Sequence, residues 1–195
     1  MKNTGRCKEL LVPGAVVVLS DSDNPQRKYR YDLIAVYKGD LLVNMDSQAP
    51  NTVFREWLES ERPFGEGADI RQEFVHGDSR FDFMVHCDTE EVLIEVKGVT
   101  LEHDGHCRFP DAPTERGVKH LRGLRESLDE GYSSYVAFVI QMEGMKDFGP
   151  NVDTDPLFSS ELRSAVESGV KVLCLGCHVE EDSISITHMV PYDHS

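Results

Sequence analysis

The sequence predicts an α/β protein with a mixed sheet and flanking helices. Short apolar segments that alternate with polar residues are typical of strands, and they recur through the chain. Three longer segments are typical of helices that begin at a proline. In the second part of the chain the predicted order is three strands, a helix, a strand, a helix and two strands. That order favours one sheet with helices packed against it.

The first part of the chain predicts a small β module and one helix. Strands are predicted at residues 15–20, 31–37 and 41–45. The last two form a predicted hairpin through Gly39-Asp40, a dipeptide that suits a tight turn. A helix is predicted from about Pro50 to Ser60, with an apolar stripe of Val53, Phe54, Trp57 and Leu58.

The composition changes after Pro63-Phe64-Gly65, where the second part begins. Its predicted strands are residues 70–76, 80–86, 92–97, 134–142, 171–179 and 183–190. Its predicted helices run over about residues 113–130 and 156–168, the first ending near Gly131. The segment that holds Gly105 and Pro110 is predicted as a loop.

The acidic composition limits the partners of this chain. The 195 residues carry a net charge of -15, which argues against non-specific electrostatic binding to DNA or to an anionic membrane. Most of this charge is expected to form a solvated acidic surface. Two basic runs still allow a local positive groove: Arg27, Lys28 and Arg30, and then Arg108, Arg116, Lys119, His120, Arg122 and Arg125.

The sequence places the protein in the cytoplasm. The apolar run at residues 15–19 is too short for a signal peptide or a membrane span. The 5 cysteines are an odd number spread through predicted strands and one loop, which argues against a disulfide framework. A hydrophobic content of 39% suits a globular protein.

Residues 79–85 and 91–97 predict two neighbouring strands that carry the most distinctive polar pattern. Alternation puts three apolar residues of the first strand on one face, namely Phe81, Phe83 and Val85. In the second strand it puts Ile94 and Val96 on one face. If these apolar faces share a core, Asp82, Glu95 and Lys97 converge on the opposite side.

Two carboxylates and an ammonium group in one place suit a divalent metal site that positions a water beside a phosphate. The alternative is structural. Glu95 and Lys97 form an E-x-K pattern that is common on strands, and an exposed ion pair there contributes only about 0–1 kcal/mol.

A basic helix face is the candidate DNA contact. Arg116, Lys119 and His120 are spaced at i, i+3 and i+4, so they share a face and can hold phosphates. The alternative is a solvated face balanced by acidic residues of the same helix. Arg80, on the strand face of Asp82, can pair with a carboxylate or a phosphate. The run at Arg27, Lys28 and Arg30 is interpreted as an ordinary basic loop.

Two further patterns look like metal or haem motifs. Cys174 to His178 has the C-x-x-C-H spacing of a haem attachment site, but it lies in an apolar run that predicts a buried strand. Two packed thiols and a histidine at the strand end are therefore the preferred interpretation. His103 and His106 flank Asp104 near Cys107 without a second half at ligand spacing, which favours a flexible loop.

Several short motifs resemble one known family. They are Asn3-Thr4-Gly5, Ser22-Asp23-Asn24-Pro25, Lys119-His120-Leu121, Pro150-Asn151, Asp155-Pro156 and residues 79–83, 95–101 and 109–117. Together they resemble the sugar fermentation stimulation protein (SfsA) family over essentially the whole chain. The resemblance implies a DNA-binding protein linked to regulation of sugar (maltose) metabolism.

The resemblance also implies a two-part architecture. Residues 1–62 would form an OB-like β module with a linking helix, and residues 63–195 a domain similar to PD-(D/E)xK nucleases. Members of the family usually carry several dozen residues before the Asn-Thr-Gly motif, which here begins at residue 3. Either the true start lies upstream or this member keeps only part of the OB-like module. A truncated module would expose unpaired strand edges, and nucleic-acid binding through it becomes doubtful.

The nuclease likeness assigns roles to individual residues. Asp82 takes the place of the first carboxylate, with Phe81 in place of the motif's proline. Glu95 and Lys97 form the ExK half. Asp82, Glu95 and the Val96 carbonyl would bind Mg²⁺ or Mn²⁺. Lys97 would orient or deprotonate the attacking water, or offset charge in the transition state.

Two other acidic residues are weaker candidates for the same site. Glu73 lies on the preceding predicted strand. Asp111 follows Pro110, but this Pro-Asp pair comes after the ExK half rather than before it, so it does not fit the motif; Asp111 can still reach the site from its loop.

Two functions of different classes follow, and the low pI keeps a third open, an interaction protein with no nucleic acid partner. The first is a metal-dependent nuclease that cuts phosphodiester bonds, with DNA as its expected, non-specific partner. The second is a DNA-binding regulator of sugar metabolism genes that keeps the fold without turnover. Asp82, Glu95 and Lys97 together favour the first, because binding alone does not require two carboxylates beside a polyanion.

Overall fold

The computed structural model describes residues 7–21, 26 and 28–194. The motifs Asn3-Thr4-Gly5 and Ser22-Asp23-Asn24-Pro25, and Arg27 of the first basic run, lie outside the described residues. The described chain forms three sheets and three helices, which confirms the predicted α/β class.

The N-terminal module is a three-stranded antiparallel sheet in the order β1-β2-β3. Its strands are β1 (Val17–Asp21), β2 (Tyr31–Lys38) and β3 (Leu41–Asn44). The predicted hairpin is confirmed: β2 and β3 meet at Gly39, whose φ of 62° is readily adopted only by glycine. Helix α1 (Ala49–Glu61) follows, and its first turn contains Pro50, where the missing N–H costs nothing.

The second part begins with an antiparallel meander and continues with parallel crossovers. In chain order it contains β4 (Asp69–His76), β5 (Ser79–His86), β6 (Glu91–Val99), β7 (Leu101–His103), β8 (His106–Phe109), α2 (Glu115–Asp129), β9 (Ser133–Ile140), β10 (Asp147–Pro150), α3 (Pro156–Ser168), β11 (Lys171–Val179) and β12 (Ile184–Met189). Six of these strands form one mixed sheet in the order β12-β11-β9-β6-β5-β4. Strands β6, β9 and β11 are parallel, and the outer pairs are antiparallel.

Helices cover both faces of this sheet. On one face α1 packs through Val53, Phe54 and Leu58; on the other lie α2 and α3. Parallel strands covered on both sides need apolar residues at successive positions, which is why residues 136–140 are all buried and apolar. Helix α1, which the sequence groups with residues 1–62, thus packs against the sheet of the second part.

The sequence predicts Phe81, Phe83 and Val85 on one face of β5, and this prediction is wrong for Phe81. Phe83 and Val85 lie on the α1 side of the sheet, but Phe81 lies on the other side, where its ring contacts His120 of α2. The alternation of side chains between the two faces of β5 therefore breaks at Asp82. Asp82 and the residue opposite it on β4, Glu73, are both left out of the regular strand pairing, and Glu73 has a φ of 55°. Side-chain alternation alone does not reveal such an irregularity.

A small third sheet replaces the loop predicted around Gly105. Strands β7 and β8 form a hairpin, and β10 pairs with β8 in parallel. The sequence misses these strands because they are only three or four residues long, and because β10 comes from a distant part of the chain. Within the described part of the chain, no helix is long and apolar enough to cross a membrane.

Candidate active site

A cleft of about 340 Å³ opens where the first turn of α1, the end of β6 and the first turn of α2 meet. All three residues of the predicted catalytic set line it. The other lining residues are Ser47, Pro50, Asn51, Val96, Gly98, Thr100, Phe109, Asp111, Thr114, Arg116, Gly117 and Gln141. The structure therefore brings together Asp82, Glu95 and Lys97 as the sequence predicts.

Asp82 is held by hydrogen bonds to both of its carboxylate oxygens. The backbone N–H of Val96 donates to Oδ2 at 2.8 Å, and the side-chain amide of Asn51 donates to Oδ1 at 2.8 Å. The break in alternation at Asp82 accompanies this arrangement. Each oxygen keeps a second lone pair, so Asp82 can still accept a ligand from the cleft.

Glu95 is almost completely buried, with 3% of its surface exposed. Its Oε1 contacts both the Lys97 ammonium and Nδ1 of His120. Its Oε2 is also buried but has no hydrogen-bond partner among the described residues. A buried carboxylate oxygen almost always has a partner, so this atom has capacity to accept a ligand or a water from the cleft.

The two carboxyl groups have pKa values shifted in opposite directions. Burial, and then repulsion by Glu95, raises the pKa of Asp82. Burial also acts to raise the pKa of Glu95, but the Lys97 ammonium and the His120 hydrogen bond outweigh it, so that pKa is lowered. The structure thus keeps Glu95 ionised and makes a second negative charge at Asp82 costly.

Lys97 and His120 lie on the same side of Glu95. Nζ of Lys97 is 3.5 Å from Nδ1 of His120, and Nε2 of His120 is 3.4 Å from Nε of Arg116. His120 is 5% exposed. His120 shares α2 with Arg116 and Lys119, as predicted. Its buried position beside Glu95 suits a residue that orients this carboxylate, and it does not suit the predicted contact with a phosphate.

Gly98 allows the cleft to close tightly at the end of β6. A Cβ at this position would lie 2.5 Å from Oε1 of Gln141 and 2.7 Å from Cγ of Pro50. The Gln141 amide in turn donates to the backbone and side chain of Asn44 at 3.1 and 2.9 Å. The end of β3 is therefore fixed directly against the site.

The residues of the cleft fit one hard cation of the kind that keeps several waters. Among the described residues, no group of three or more histidine, cysteine or acidic side chains could hold a metal. Asp82 and the free oxygen of Glu95 supply two carboxylates, and Val96, whose N–H donates to Asp82, also lines the cleft. One or two carboxylates completed by waters and substrate phosphate are typical of Mg²⁺ sites.

The residues predicted to contact phosphate do not all lie at the cleft. Arg116 lines the cleft and Lys119 is exposed on the outer side of the same helix. Arg80 instead points to the far edge of the sheet, where it pairs with Glu73 at 3.8 Å. That pair accounts for Glu73, the weaker acidic candidate, which does not line the cleft.

Sequence reasoning undervalued three residues that line the cleft. Asp111 faces the cleft, and one of its oxygens accepts a hydrogen bond from the backbone N–H of Cys7 at 3.3 Å. Asn51 and Gln141 had no assigned role. The sequence signal that points to Asn51 is its place beside Pro50 in the first turn of a predicted helix. The backbone N–H groups of a first turn have no partner within the helix, so that turn can contact a ligand.

The haem-like and histidine-rich patterns have structural explanations. Cys174 and Cys177 are buried in β11, and burial raises the pKa of each thiol to about 12, which makes both inert. His178 is exposed and pairs with Glu143. His106 lies in the hairpin β7–β8, not in a loop, and its Nδ1 is 2.6 Å from Oδ2 of Asp147.

Comparisons with known proteins agree with this architecture. A family model described as the sugar fermentation stimulation protein RE domain matches residues 48–183. A second model, described as the SfsA N-terminal OB domain, matches residues 1–45. Helix α1 therefore falls within the match to the first model.

Individual relatives match over nearly the whole chain. A sugar fermentation stimulation protein homolog from Desulfitobacterium hafniense (strain DSM 10664 / DCB-2) is 53% identical over 184 residues, which is 94% of this chain and 80% of that protein. A homolog from Clostridium beijerinckii is 50% identical over 190 residues, covering 97% of this chain and 84% of that protein.

A solved structure shows the same fold. The structure of Pyrococcus furiosus SfsA in complex with Ca²⁺ superposes with a TM-score of 0.90 at 26% identity, covering 99% of this chain and 84% of that one. From the mixed sheet, the three-stranded module and these matches, we conclude that this chain belongs to the sugar fermentation stimulation protein (SfsA) family.

Proposed function

We propose that this chain is a metal-dependent phosphodiesterase that acts on DNA. The observation that carries the proposal is the Glu95 carboxylate: buried, ionised, and with one oxygen that has no partner among the described residues. Lys97 and His120 offset the charge of Glu95 through Oε1, but a buried acceptor such as Oε2 costs free energy when nothing completes it. The proposed ligand is a divalent cation that Glu95 and a second carboxylate, Asp82, would bind together.

The residues that would hold the cation are Asp82, Glu95 and the Val96 carbonyl. Once bound, Mg²⁺ or Mn²⁺ would lower the pKa of a water and neutralise charge on a phosphate. The relative from Pyrococcus furiosus is described as a Ca²⁺ complex, and Ca²⁺ is a hard cation with the same preference for oxygen ligands. The charges of Asp82 and Glu95 repel each other, and a cation bound between the two carboxylates would remove this repulsion. This supports the proposal.

Lys97 and Arg116 would act on the substrate. The Lys97 ammonium lies beside Glu95 at the cleft wall, where it can orient the attacking water and offset charge that develops on the phosphate. Arg116 can donate to a phosphate oxygen at the cleft mouth. Lys119 would contact a neighbouring phosphate from the outer side of α2, and Ser47 and Thr114 add hydroxyl donors to the lining.

The alternative, a DNA-binding regulator without turnover, is less well supported. Several cations that could bind the DNA backbone are already paired, since Arg122 and Arg125 both contact Glu161. Two carboxylates in the cleft would repel a phosphate unless a cation lay between them. The arrangement therefore suits catalysis better than simple binding.

The test is a parallel measurement of Mn²⁺ binding and DNA cleavage. Wild type should bind Mn²⁺ by calorimetry and cut single- or double-stranded DNA, and Asp82→Ala should lose both. Asp88→Ala is the matched control, since it removes an exposed carboxylate at the β5–β6 turn, outside the cleft. Metal binding without cleavage would favour the regulator. No Mn²⁺ binding by wild type would overturn the proposed site.

A further inference from the structure

His120 is the buried polar residue of the site for which a metal-dependent mechanism provides no direct role. Its side chain lies between Glu95 and Arg116, and its ring packs edge-on against Phe81 at a centroid distance of 6.2 Å. At 5% exposure it cannot reach a DNA backbone. Its two ring nitrogens nevertheless both have polar partners.

Those partners define the tautomer of His120. A carboxylate oxygen accepts, so Nδ1 donates to Oε1, and the Lys97 ammonium, 3.5 Å from Nδ1, donates to the same oxygen. Arg116 can only donate, and its Nε lies 3.4 Å from Nε2, which therefore accepts. The two contacts together favour the tautomer with hydrogen on Nδ1.

This chain of contacts determines which Glu95 oxygen remains for a ligand. His120 and Lys97 both occupy Oε1, and Oε2 is left without a partner among the described residues. Lys97 is on the same strand as Glu95, whereas His120 comes from α2 and fixes the carboxylate from a second element. Residues behind a metal ligand that orient it in this way tune its affinity.

We propose that His120 is a positioning residue for Glu95, and that Arg116 fixes the tautomer in which His120 can act. The inference rests on the proposed function, because it assumes that Glu95 binds a cation. It assigns to Arg116 a role that does not require DNA. Loss of the His120 contact should weaken Mn²⁺ binding by about 10- to 100-fold, the usual effect of losing such a partner.

The first experiment compares two amide replacements by Mn²⁺ calorimetry without DNA. Asn at position 120 places its amide nitrogen near the position of Nδ1, and Gln places it near Nε2. His120→Asn should keep Mn²⁺ affinity within about threefold of wild type, whereas His120→Gln should lose about tenfold or more. Equal affinity of the two variants, with melting temperatures confirming that both fold, would overturn the inference.

The second experiment changes Arg116, an exposed residue whose replacement does not put folding at risk. Arg116→Ala should lower Mn²⁺ affinity several-fold in the absence of DNA, and ¹⁵N NMR should show that His120 no longer populates one tautomer. Arg125→Ala is the charge-matched control on the same helix, and it pairs with Glu161 away from the cleft. An unchanged Mn²⁺ affinity and tautomer in Arg116→Ala would restrict Arg116 to substrate contact and contradict the inference.

The failure of the inference can be told from the failure of the proposed function. If wild type binds no Mn²⁺, both are wrong. If wild type binds Mn²⁺ and cuts DNA while the position 120 variants bind equally well, the proposed function stands and only the positioning role is lost.

Discussion

At the scale of single residues, Asp82 and Glu95 have opposite electrostatic surroundings in one cleft. Burial, and then the charge of Glu95, raise the pKa of Asp82 more than Lys97 and its hydrogen-bond donors lower it. Burial acts in the same direction on Glu95, but Lys97 and His120 outweigh it, and the pKa of Glu95 is lowered. Such divergence is common where a protein assigns different tasks to neighbouring carboxylates. Each shift makes the stability of the protein depend on pH, with opposite sign.

Asp82→Asn should remove a pH-dependent loss of stability from the metal-free protein. Folding raises the Asp82 pKa, so the wild type loses stability as pH rises from the ordinary pKa of 3.8 to the raised value, and a neutral amide has no such loss. The amide also turns its NH₂ toward one of the two N–H donors that Asp82 accepts from, which costs the variant about 1–3 kcal/mol at every pH. Urea denaturation should therefore show the wild type losing stability relative to the variant as pH rises above 3.8. A stability difference between the two proteins that does not change with pH would contradict the raised pKa of Asp82.

Glu95→Gln should have the opposite effect. Folding lowers the Glu95 pKa, so its carboxylate stabilises the fold above its ordinary pKa of 4.5, and this stability is lost as pH falls through the lowered value. The variant leaves the Lys97 ammonium, 15% exposed, without its partner, at a cost of about 3 kcal/mol at pH 7. The same urea titrations check this, and a variant as stable as wild type at pH 7 would argue against the buried ion pair.

At the scale of elements, one side chain joins the starts of the two helices on the same side of the sheet. Asp155 caps α3, because its Oδ1 accepts from the N–H of Phe158 at 2.9 Å, and its Oδ2 accepts from the N–H of Thr114 at 2.8 Å. Thr114 in turn caps α2 by accepting from the N–H of Gly117 at 3.0 Å. The first turn of α2, which carries Arg116 to the cleft, is thus fixed by α3.

Asp155→Ala should therefore cost more than the loss of one helix cap. Removing a single cap costs about 1 kcal/mol, which is the expectation for Thr114→Ala. Asp155→Ala also leaves the N–H of Thr114 unpaired, so we expect a loss of about 2–3 kcal/mol. Thermal and urea denaturation of the two variants provide the comparison. Equal losses would mean that Asp155 caps α3 alone.

At the scale of the whole molecule, net charge and site chemistry predict that the proposed DNA binding depends on a cation. The chain carries a net charge of -15. Lys97 is paired with Glu95, so Arg116 in the cleft and Lys119 on the outer side of α2 are the proposed contacts to the DNA backbone. Without a metal, the two carboxylates repel a phosphate, and like charges in contact cost several kcal/mol.

Fluorescence anisotropy should show this dependence directly. Duplex DNA should bind about tenfold or more weakly in EDTA than in Ca²⁺, because the carboxylates are then uncompensated. With two phosphate contacts, a plot of log affinity against log salt in Ca²⁺ should have a slope of about -2, and Lys119→Ala should reduce it to about -1. Equal binding in EDTA and Ca²⁺ would show that DNA does not contact this cleft.

Much of the fold could be predicted because its signals are local. Alternation, proline at helix starts and glycine at turns determine backbone preference within a few residues, and they correctly predicted all three helices and nine of the strands. Strands β7, β8 and β10 were missed because they are only three or four residues long, and β10 pairs with β8 from a distant part of the chain. The sequence could not show that Phe81 and Phe83 lie on opposite faces, because that depends on an irregular pairing of β5 with β4.

The sequence by itself determined the chemistry available to this protein: two carboxylates and a lysine on adjacent strands, a basic helix, and an acidic surface elsewhere. Only the tertiary structure decided how those groups are used. It brought the starts of α1 and α2 to the end of β6, buried Glu95, and gave one of its oxygens to His120 and Lys97. Burial and the identity of hydrogen-bond partners arise from packing between distant segments, and a local pattern of residues carries no information about them.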